Sequence, residues 1–499
     1  MSTVDRQAPA PPVVEAAPAP SVMTRRQTFV LILLLGAQFT LAVDFSIMNV
    51  AVPVIGRQLG FAQENLQWIA TAFALTAAGF SLLFGRIADM VGARKVFLAG
   101  LALLTVASLF GGLVDSAALL LVARVAQGLA TAMVTPAGLA LLTTSFPEGP
   151  LRDRALGLNG AMLSAGFTFG AVVGGLLTDT LSWRWGFLIN VPIGILLLVV
   201  APMLLRENRA PATTTKLDVP GAVTVSAGLI ALVYGISCAG SKGWGNSTTL
   251  ISLAAGVLLL VVFGLVELRS PQPLAPLRIL RLRTVSWGNL GGVVTFIGFT
   301  SMIFLLTLYL QEVLGYSPMT TGLIFGVLGV GAFLGGVTAP RWIGLLHGSR
   351  GTLVAGLTVQ AIAVGTLYFA GDSRSWLLPV LVAAFISSYG HVVAIVGFMV
   401  TATSGLPNEE QGLATGITTL TQQVSITIGI PIMSAVATAR IHSLSAGDTV
   451  KAATLGGINL AILVDGLLVL AVAVLVACFL RSPAAAPAAA AAPAPAGSK

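Results

Sequence analysis

Charged residues are scarce in this sequence: Asp, Glu, Lys and Arg make up 9% of its 499 residues, whereas 56% are hydrophobic. In typical soluble domains roughly a quarter of the residues are charged. A chain this apolar has more hydrophobic side chains than one soluble core can bury. Its mean hydropathy of +0.95 indicates that much of its surface contacts lipid. The composition therefore excludes a soluble protein and predicts a polytopic membrane protein.

Cysteine and nucleotide-binding motifs are also missing. Only Cys238 and Cys478 occur, far apart in apolar segments, which excludes a disulfide framework or a cysteine metal cluster. The sequence has no Gly-rich loop ending in Gly-Lys-Ser/Thr, which argues against ATP as the energy source. We therefore expect no catalytic residues, no metal site and no bound organic cofactor.

What the chain does contain is a series of long apolar runs. They are roughly 18 to 25 residues long, as a membrane-spanning helix requires, and they lack the alternation of a transmembrane strand. They predict an all-α protein with fourteen spans. The predicted spans are 28–52, 66–84, 96–114, 118–142, 155–177, 185–205, 217–239, 249–267, 285–310, 320–340, 351–370, 376–402, 411–437 and 457–480.

Basic residues are distributed unevenly between the loops. With the N-terminus inside, 19 of the 26 Lys and Arg residues fall on the cytoplasmic side or in the tails, six fall outside, and Arg124 lies within a span. This asymmetry predicts that both termini are cytoplasmic, and it accounts for the net charge of +8 without nucleic-acid binding. Residues 1–27 and the Ala/Pro-rich residues 481–499 are predicted to be disordered tails.

A weak internal repeat divides the spans into two groups, because several glycines and an arginine recur at an offset of about 256 residues. The echoing pairs are Gly92 and Gly348 and Arg94 and Arg350, with Gly170 and Gly429 as a second echo at a slightly longer offset. The repeat predicts two six-helix bundles of parallel orientation with a two-helix hairpin inserted between them. The predicted units are 28–205, the hairpin with its flanking loops at 206–284, and 285–480.

The stretch from Gly85 to Lys95 interrupts two apolar runs with glycine and concentrated charge. We interpret it as a tight loop in which Gly85 and Gly92 supply the positive φ of a sharp reversal, while Arg94 and Lys95 mark the cytoplasmic side. Asp89 can accept from arginines or cap the next helix. An ordinary positive-inside hairpin is the alternative. The stretch resembles the loop between helices 2 and 3 of the major facilitator superfamily, which implies a gate.

Span one carries a carboxylate, Asp44, near the middle of the membrane. Placing it there costs about 2.5–3.5 kcal/mol on insertion scales, so it should face a cavity or a partner instead of lipid. Asp44 could bind and release a proton, or it could be a structural acid paired to a neighbouring helix. Together with Asn49 and Pro53, it resembles the first-helix motif of the fourteen-span drug:proton antiporters. That resemblance implies a proton-coupling role for Asp44 and places Asn49 near the substrate cavity.

Span four contains an arginine, Arg124, with Gln127 three residues later on nearly the same helical face. Arginine stays ionised, so inside a bilayer it must find carbonyls, a carboxylate or water. A bond to a carbonyl could be purely structural. The pattern resembles the fourth-helix motif of the superfamily, which implies that Arg124 takes part in proton coupling and that Gln127 extends its polar network.

Span five is rich in glycine, and three of its glycines are spaced four residues apart on one helical face, where another backbone can approach closely. Any small-residue packing surface would give this pattern. The full spacing resembles the antiporter motif that separates exporters from importers in the superfamily, although Ala171 replaces the proline of that motif and weakens the inference of direction. The motif positions are Gly157, Gly166, Gly170, Ala171, Gly174 and Gly175.

The junction of spans five and six holds Trp183, Arg184 and Trp185, followed by Asn190. Tryptophans and an arginine at a membrane boundary predict an interfacial anchor. The junction resembles that of the fourteen-span drug exporters, and we assign it no chemistry.

The second half adds four candidate residues. His391 lies mid-span, where hydrogen-bonded packing is the main interpretation and a proton relay or substrate contact the alternative. Asp465 in span fourteen is a second intramembrane acid, with a packing role or a proton role. Gln422 and Gln423 in span thirteen could line the cavity, as could Asn49, Gln127, His391 and Asp465.

Together these resemblances imply a major facilitator fold that works by alternating access. The expected function is proton-driven efflux of amphipathic small molecules, drugs or antibiotics, across a bacterial cytoplasmic membrane. A facilitator or proton symporter of a metabolite is the alternative, and a non-transporting receptor or scaffold is a third. The expected partners are the substrate and the lipid bilayer, with protons as the coupling ion, no nucleic acid, and a monomer as the working unit.

Overall fold

The computed structural model describes residues 23–146, 150–205, 218–270, 279–346, 348–404, 408–444 and 449–480. Both predicted tails lie outside these ranges, apart from residues 23–27. Fourteen long helices occupy the described ranges. They are α1 Arg25–Leu59, α2 Gln67–Val91, α3 Ala93–Leu113, α4 Ala117–Ser145, α5 Pro150–Thr180, α6 Arg184–Leu204, α7 Val219–Lys242, α8 Ser247–Arg269, α9 Arg283–Val313, α10 Pro318–Leu345, α11 Ser349–Phe369, α12 Leu377–Thr403, α13 Asn408–Leu444 and α14 Val450–Phe479.

The helices correspond to the predicted spans in order, and the all-α fold class is confirmed. Over the described ranges, twelve of them are long and apolar enough to cross a membrane, and α2 and α5 are the other two. The count of fourteen crossings therefore stays a prediction. Several helices extend past the predicted apolar limits, because a helix satisfies its own backbone and can continue beyond the bilayer with polar side chains.

The predicted loop from Gly85 to Lys95 is wrong in extent. Helix α2 continues to Val91 and α3 begins at Ala93, so Gly92 alone forms the turn, with a φ of +109°. Gly85 lies within α2 and is not a positive-φ position. The polar side chains that suggested a loop belong to the end of α2 and the start of α3. Helix ends lie near the membrane surface, where water can solvate charged side chains.

The helices form two bundles with matching internal packing. In the N-terminal half α1 packs on α5, α2 on α4, and α3 on α4 and α6. In the C-terminal half α9 packs on α13, α10 on α12, and α11 on α12 and α14. Each helix from α1 to α6 therefore has a counterpart eight helices later, which agrees with the predicted repeat.

The echoing residues occupy the same places in the two halves. Gly92 and Gly348 are both positive-φ residues, at +109° and +132°, and they begin α3 and α11. Arg94 donates to the Pro202 carbonyl on α6, and Arg350 donates to a carbonyl on α14. The repeat is thus a repeat of contacts as well as of sequence.

Helices α7 and α8 form the hairpin between the halves. They pack on each other where Gly235 and Gly256 let the two backbones approach. The outer face of α7 contacts α2 and α13, one helix from each bundle. The Ser226 hydroxyl donates to the Gly79 carbonyl on α2, which fixes the hairpin against the N-terminal half.

The apolar clusters show which end of the molecule is closed. The largest cluster joins the halves through residues 43–55 of α1 and residues 302–314 at the end of α9. Two further clusters each belong to one half, one including residues 30–41 of α1 and the other residues 353–361 of α11. The halves therefore share a core at the end where α1 meets α2, here called the Arg57 end. At the opposite end, here called the Arg94 end, each half has its own core.

Candidate functional site

An ion pair lies at the centre of the N-terminal half. Arg124 Nη1 on α4 is 3.1 Å from Asp44 Oδ2 on α1, and both side chains are fully buried. Span one and span four therefore meet as a charged pair, which is how a bilayer protein tolerates either charge. Both residues were predicted as functional from sequence, and the structure brings them into direct contact.

Two amides hold the other oxygen of the carboxylate. Gln127 Nε2 donates to Asp44 Oδ1 at 2.8 Å, and Asn190 Nδ2 of α6 donates to the same atom at 2.5 Å. Gln127 also donates to the Ser108 hydroxyl of α3 at 2.9 Å. The ionised acid thus has donors on both oxygens, and α1, α3, α4 and α6 meet at one polar centre, here called the Asp44 centre.

Arg124 is held on further sides. Its Nε donates to the Ile69 carbonyl of α2 at 3.0 Å, and Nη1 donates to Gln127 Oε1 at 2.8 Å. Its guanidinium carbon lies 4.4 Å from the centroid of the Phe73 ring, a cation–π distance. Protonation of Asp44 would remove the charge that balances the guanidinium, so a proton at this site changes a network that reaches α2 as well.

Sequence reasoning missed two members of this centre. Ser108 carries no special spacing on α3, and Asn190 lay in the junction to which we assigned no chemistry. The anchor interpretation is wrong for Trp183, which is fully buried and donates to Gln58 Oε1 at 2.8 Å. Trp185, by contrast, is 47% exposed, as an interfacial residue should be. The buried indole fixes the end of α1 next to the start of α6.

A row of aromatic rings leads from the Asp44 centre to the C-terminal half. Phe73 lies 5.8 Å from Phe45, Phe45 lies 6.4 Å from Phe167, and Phe167 lies 6.0 Å from Phe299, measured between ring centroids. Phe299 stacks on His391 at 4.1 Å. Phe45, Phe167 and Phe299 are partly exposed, so packing leaves ring surface uncovered in the middle of the row.

His391 is part of a hydrogen-bonded group in the C-terminal half. Its Nδ1 lies 2.9 Å from the Thr295 hydroxyl on α9, which donates to Gln360 Oε1 on α11 at 2.6 Å. Gln360 Nε2 in turn donates to the Thr295 carbonyl at 3.0 Å. The packing interpretation of His391 is therefore supported, and its stacking on Phe299 also places it at the end of the aromatic row.

Asp465 is the intramembrane acid of α14. The side chain is fully buried, and within the described residues neither carboxylate oxygen has a hydrogen-bond partner. Asp465 Oδ1 lies 3.6 Å from the position that a Cβ on Gly298 would occupy, on the side of α9 that Gln360 also faces. It does not line an open cavity in this state.

The glycines of α5 contact two different helices. A Cβ on Gly166, Gly170 or Gly174 would stand 2.7–2.8 Å from backbone atoms of α1, so the predicted close approach is confirmed and its partner is α1. Gly175 and the Ala171 carbonyl instead face the start of α10, at Pro318 and Gly322. Helix α5 therefore has one small-residue face within its half and another across the boundary between the halves.

The remaining predicted residues divide into three groups. Asn49 is 3% exposed and donates to the Phe45 carbonyl of its own helix at 3.0 Å, so its predicted place on the cavity is wrong for this state. Gln422 is partly exposed on α13, and Lys95 is exposed at the start of α3. The side chains of Asp89 and Gln423 and the surroundings of Gly157 lie outside what the structure describes.

Polar contacts close the Arg57 end. Arg57 Nη1 of α1 lies 2.5 Å from Glu312 Oε1, and Gln311 Nε2 donates to the Val50 carbonyl at 2.8 Å. Glu312 and Gln311 lie in the π-helical turn that ends α9, a local widening that turns both side chains toward α1. The sequence analysis did not indicate this contact between the halves.

No group of three His, Cys, Asp or Glu residues suited to a metal ion occurs in the part of the chain that the structure describes.

Comparison with known proteins gives consistent matches along most of the chain. The family model of the Major Facilitator Superfamily matches residues 34–430. The cephamycin export protein CmcT of Amycolatopsis lactamdurans is 36% identical over 82% of this chain and 85% of its own. The puromycin resistance protein pur8 of Streptomyces alboniger is 34% identical over 89% of this chain and 90% of its own.

Among solved structures, a peptide transporter POT in complex with sulfate superposes with a TM-score of 0.64 at 18% identity. The match covers 91% of this chain and 96% of the transporter. At that identity the match establishes the fold alone.

Proposed function

The chain belongs to the major facilitator superfamily, and from that premise we propose that it exports amphipathic small molecules, drugs or antibiotics, in exchange for protons. Relatives that cover most of the chain are named for cephamycin export and puromycin resistance, and they support the substrate class and the outward direction. The observation that carries the proton coupling is the buried Asp44–Arg124 pair.

Asp44 is the residue to which we assign the exchanged proton. As an ion it is stabilised by Arg124 and by two amide donors. Protonation removes its charge and leaves Arg124 to its carbonyl, to Gln127 and to the Phe73 ring. Because Phe73 begins the aromatic row, a change at Arg124 can alter the surface on which a substrate would bind. This links proton binding to substrate binding without direct contact between the two.

Alternating access is supported by the unequal ends of the molecule. The shared apolar cluster and the Arg57–Glu312 pair close the Arg57 end, while each half keeps a separate core at the Arg94 end. We assign the Arg94 end to the cytoplasm, because it carries Arg86, Arg94 and Lys95 next to an apolar helix pair. Both termini are then cytoplasmic, and the state described here faces inward, ready to accept substrate from the cell.

The aromatic row supports planar, amphipathic or cationic substrates. Phenylalanine faces attract both flat apolar rings and cations, and three partly exposed rings lie in sequence between the halves. Both halves that form this surface belong to one chain, so we propose the monomer as the working unit.

The driving force is sufficient for export. Moving one charge through 100 mV yields about 2.3 kcal/mol, and a tenfold gradient costs about 1.4 kcal/mol. One net charge moved per cycle therefore sustains a substrate gradient of roughly forty-fold.

The test is transport of ethidium, a fluorescent planar cation, in everted membrane vesicles with an imposed pH gradient. We expect gradient-driven uptake into the vesicles with the unmodified chain and its loss in Asp44→Asn at equal protein levels. Asp179→Asn is the matched control, because Asp179 is an exposed acid on α5. Puromycin and cephamycin, tested as competitors, would narrow the substrate class.

Other outcomes of this assay identify the alternatives. Ethidium movement that is independent of the pH gradient in all three proteins would contradict proton coupling and favour a facilitator. The replacement of the motif proline by Ala171 leaves that alternative open. Uptake into right-side-out vesicles, driven by protons, would identify a symporter. Normal activity in Asp44→Asn would remove Asp44 from the coupling mechanism.

A further inference from the structure

The C-terminal half contains a buried acid that the proposed mechanism does not use. Asp465 lies mid-way along α14 with no exposed surface, and neither carboxylate oxygen has a hydrogen-bond partner in the part of the chain that the structure describes. Asp44, at the same depth of burial, has a guanidinium and two amide donors. The two intramembrane acids therefore lie in opposite electrostatic settings.

An ionised carboxylate without donors is costly in a medium of low dielectric constant. A neutral carboxylic acid at the same place requires no counter-charge. We propose that Asp465 carries a proton in this inward-facing state and is a second proton-binding residue of the transporter, located in the C-terminal half. This inference rests on the proposed export function for its role in transport, although the protonated state can be tested separately.

No charged side chain of the neighbouring helices is placed to balance Asp465 within the described ranges. Helix α14 packs on α9, α11 and α13, and their described titratable groups lie within two turns of either end of a helix. These groups are Arg283, Tyr309 and Glu312 of α9, Arg350 and Tyr368 of α11, Arg440 and His442 of α13, and Lys451 and Cys478 of α14 itself. Arg350 and Glu312 are further engaged by a carbonyl of α14 and by Arg57.

Polar side chains lie between the surroundings of Asp465 and the aromatic row. The Cβ position of Gly298 is 3.6 Å from Asp465 Oδ1 and 3.1 Å from Gln360 Nε2, so the acid and the amide face the same gap beside α9. From Gln360 the hydrogen bonds run through Thr295 to His391. His391 stacks on Phe299, the last ring of the aromatic row. A proton could reach or leave Asp465 along this side of the bundle, and the proton is the only species transferred.

The competing explanation is that Asp465 is a packing residue. Its neighbours in sequence make that reasonable, since Gly466 lies against the backbone of α11 at Gly365. An asparagine has nearly the same shape as a protonated aspartic acid, so a packing role would survive Asp465→Asn with no change in the protons bound.

The first measurement is infrared spectroscopy of the full chain reconstituted in lipid at neutral pH. We expect a C=O stretching band of a protonated carboxylic acid that disappears in Asp465→Asn and persists in Asp44→Asn. In case Asp465→Asn does not fold, carbon-13 labelling of aspartate in the unmodified chain must shift the same band. A band that survives Asp465→Asn unchanged, or that ignores the label, would overturn the proposal.

The second measurement counts the protons released when ethidium binds to the purified protein in weakly buffered detergent. Because Asp44 is already ionised in the inward-facing state, we expect one proton from the unmodified chain, one from Asp44→Asn and none from Asp465→Asn. Equal release from the unmodified chain and Asp465→Asn would overturn the role of Asp465 while leaving Asp44 in place. No release from the unmodified chain would overturn proton release by Asp465 on substrate binding, while the vesicle assay would separately test proton-coupled export and the infrared band would decide whether Asp465 is protonated.

Discussion

The two halves each place a central group of buried polar residues on the same four helix positions, but they place charge differently. In the N-terminal half the acid on α1 is bonded by residues of α4 and α6, and Gln127 of α4 also donates to Ser108 of α3. In the C-terminal half the hydrogen-bonded residues lie on α9, α11 and α12, the counterparts of α1, α3 and α4, and the acid lies alone on α14, the counterpart of α6. The repeat therefore preserves where polarity is buried and changes how it is balanced.

This difference indicates a division of labour between the bundles. The Asp44 centre is an ion pair whose members depend on each other, so loss of either leaves a charge without compensation. The C-terminal group consists of neutral hydrogen-bonding side chains beside an unpaired acid, so single losses there leave no stranded charge. Substitutions at equivalent depth should consequently have very different costs in the two halves.

The largest expected effect is that of Arg124→Ala. Breaking a buried ion pair by removing one partner costs about 3–5 kcal/mol, because the remaining charge stays desolvated. We expect that loss in the free energy of unfolding, together with loss of ethidium export. Thermal or denaturant unfolding in detergent measures the first quantity, and the vesicle assay measures the second.

The control for this prediction is the double variant Asp44→Asn with Arg124→Gln. It keeps the hydrogen-bonding groups but removes both charges, so it should unfold at a temperature closer to the unmodified chain than Arg124→Ala does. If the double variant were the less stable of the two, the cost would arise from packing and not from the stranded carboxylate.

The residues of the Asp44 centre differ in how far the sequence revealed them. Asp44, Arg124 and Gln127 could be predicted, because a charge in an apolar run has to be paired or solvated. Ser108 and Asn190 could not, because a single neutral polar residue in a helix has no pattern that shows which neighbouring helix it faces. The one-residue turn at Gly92 was missed for a related reason, since polar side chains in sequence look alike in a loop and at a helix end.

The fold itself was largely predictable from the lengths of the apolar runs and from the internal repeat. Which end of the molecule is closed could not be predicted from the sequence. At the closed Arg57 end, Glu312 pairs with Arg57 and Gln311 donates to the backbone of α1. These contacts join residues more than 250 positions apart, and nothing local in the sequence indicates them.

A smaller effect should separate two equivalent glycines, Gly170 of α5 and Gly429 of α13. A Cβ on Gly170 would meet the backbone of Val43 at 2.7 and 2.8 Å, whereas a Cβ on Gly429 first meets the Thr300 hydroxyl, a side-chain atom, at 2.7 Å. Overpacking typically costs about 1–3 kcal/mol. We expect Gly170→Ala to lower the unfolding temperature more than Gly429→Ala does, because side chains yield more readily than backbone. Equal losses would indicate that both helix pairs adjust alike.

The arginines that follow Gly92 and Gly348 should instead behave alike. Arg94 and Arg350 each donate to a carbonyl near the end of the last helix of their half. Each hydrogen bond should contribute about 1 kcal/mol, so Arg94→Gln and Arg350→Gln should lower the free energy of unfolding by similar amounts. A loss confined to one of them would show that the repeat is structural in only one half.

The smallest expected effect lies at the contact that joins the halves. The Arg57 and Glu312 side chains are 58% and 32% exposed, and exposed ion pairs contribute at most about 1 kcal/mol. Arg57→Gln should therefore change the ratio of closed to open forms at this end by no more than about five-fold. Spin labels on cysteines at the exposed positions Ala62 and Ser373, with Cys238 and Cys478 replaced by serine, would report the distance between the halves.

Lys451→Gln is the matched control, because Lys451 pairs with Asp372 within one half at the same end. We expect longer distances in Arg57→Gln and in the parent at high salt, but not in Lys451→Gln; that result would assign part of the closure to the Arg57–Glu312 pair. Identical distances in all samples would assign the closure to the apolar cluster beneath the pair.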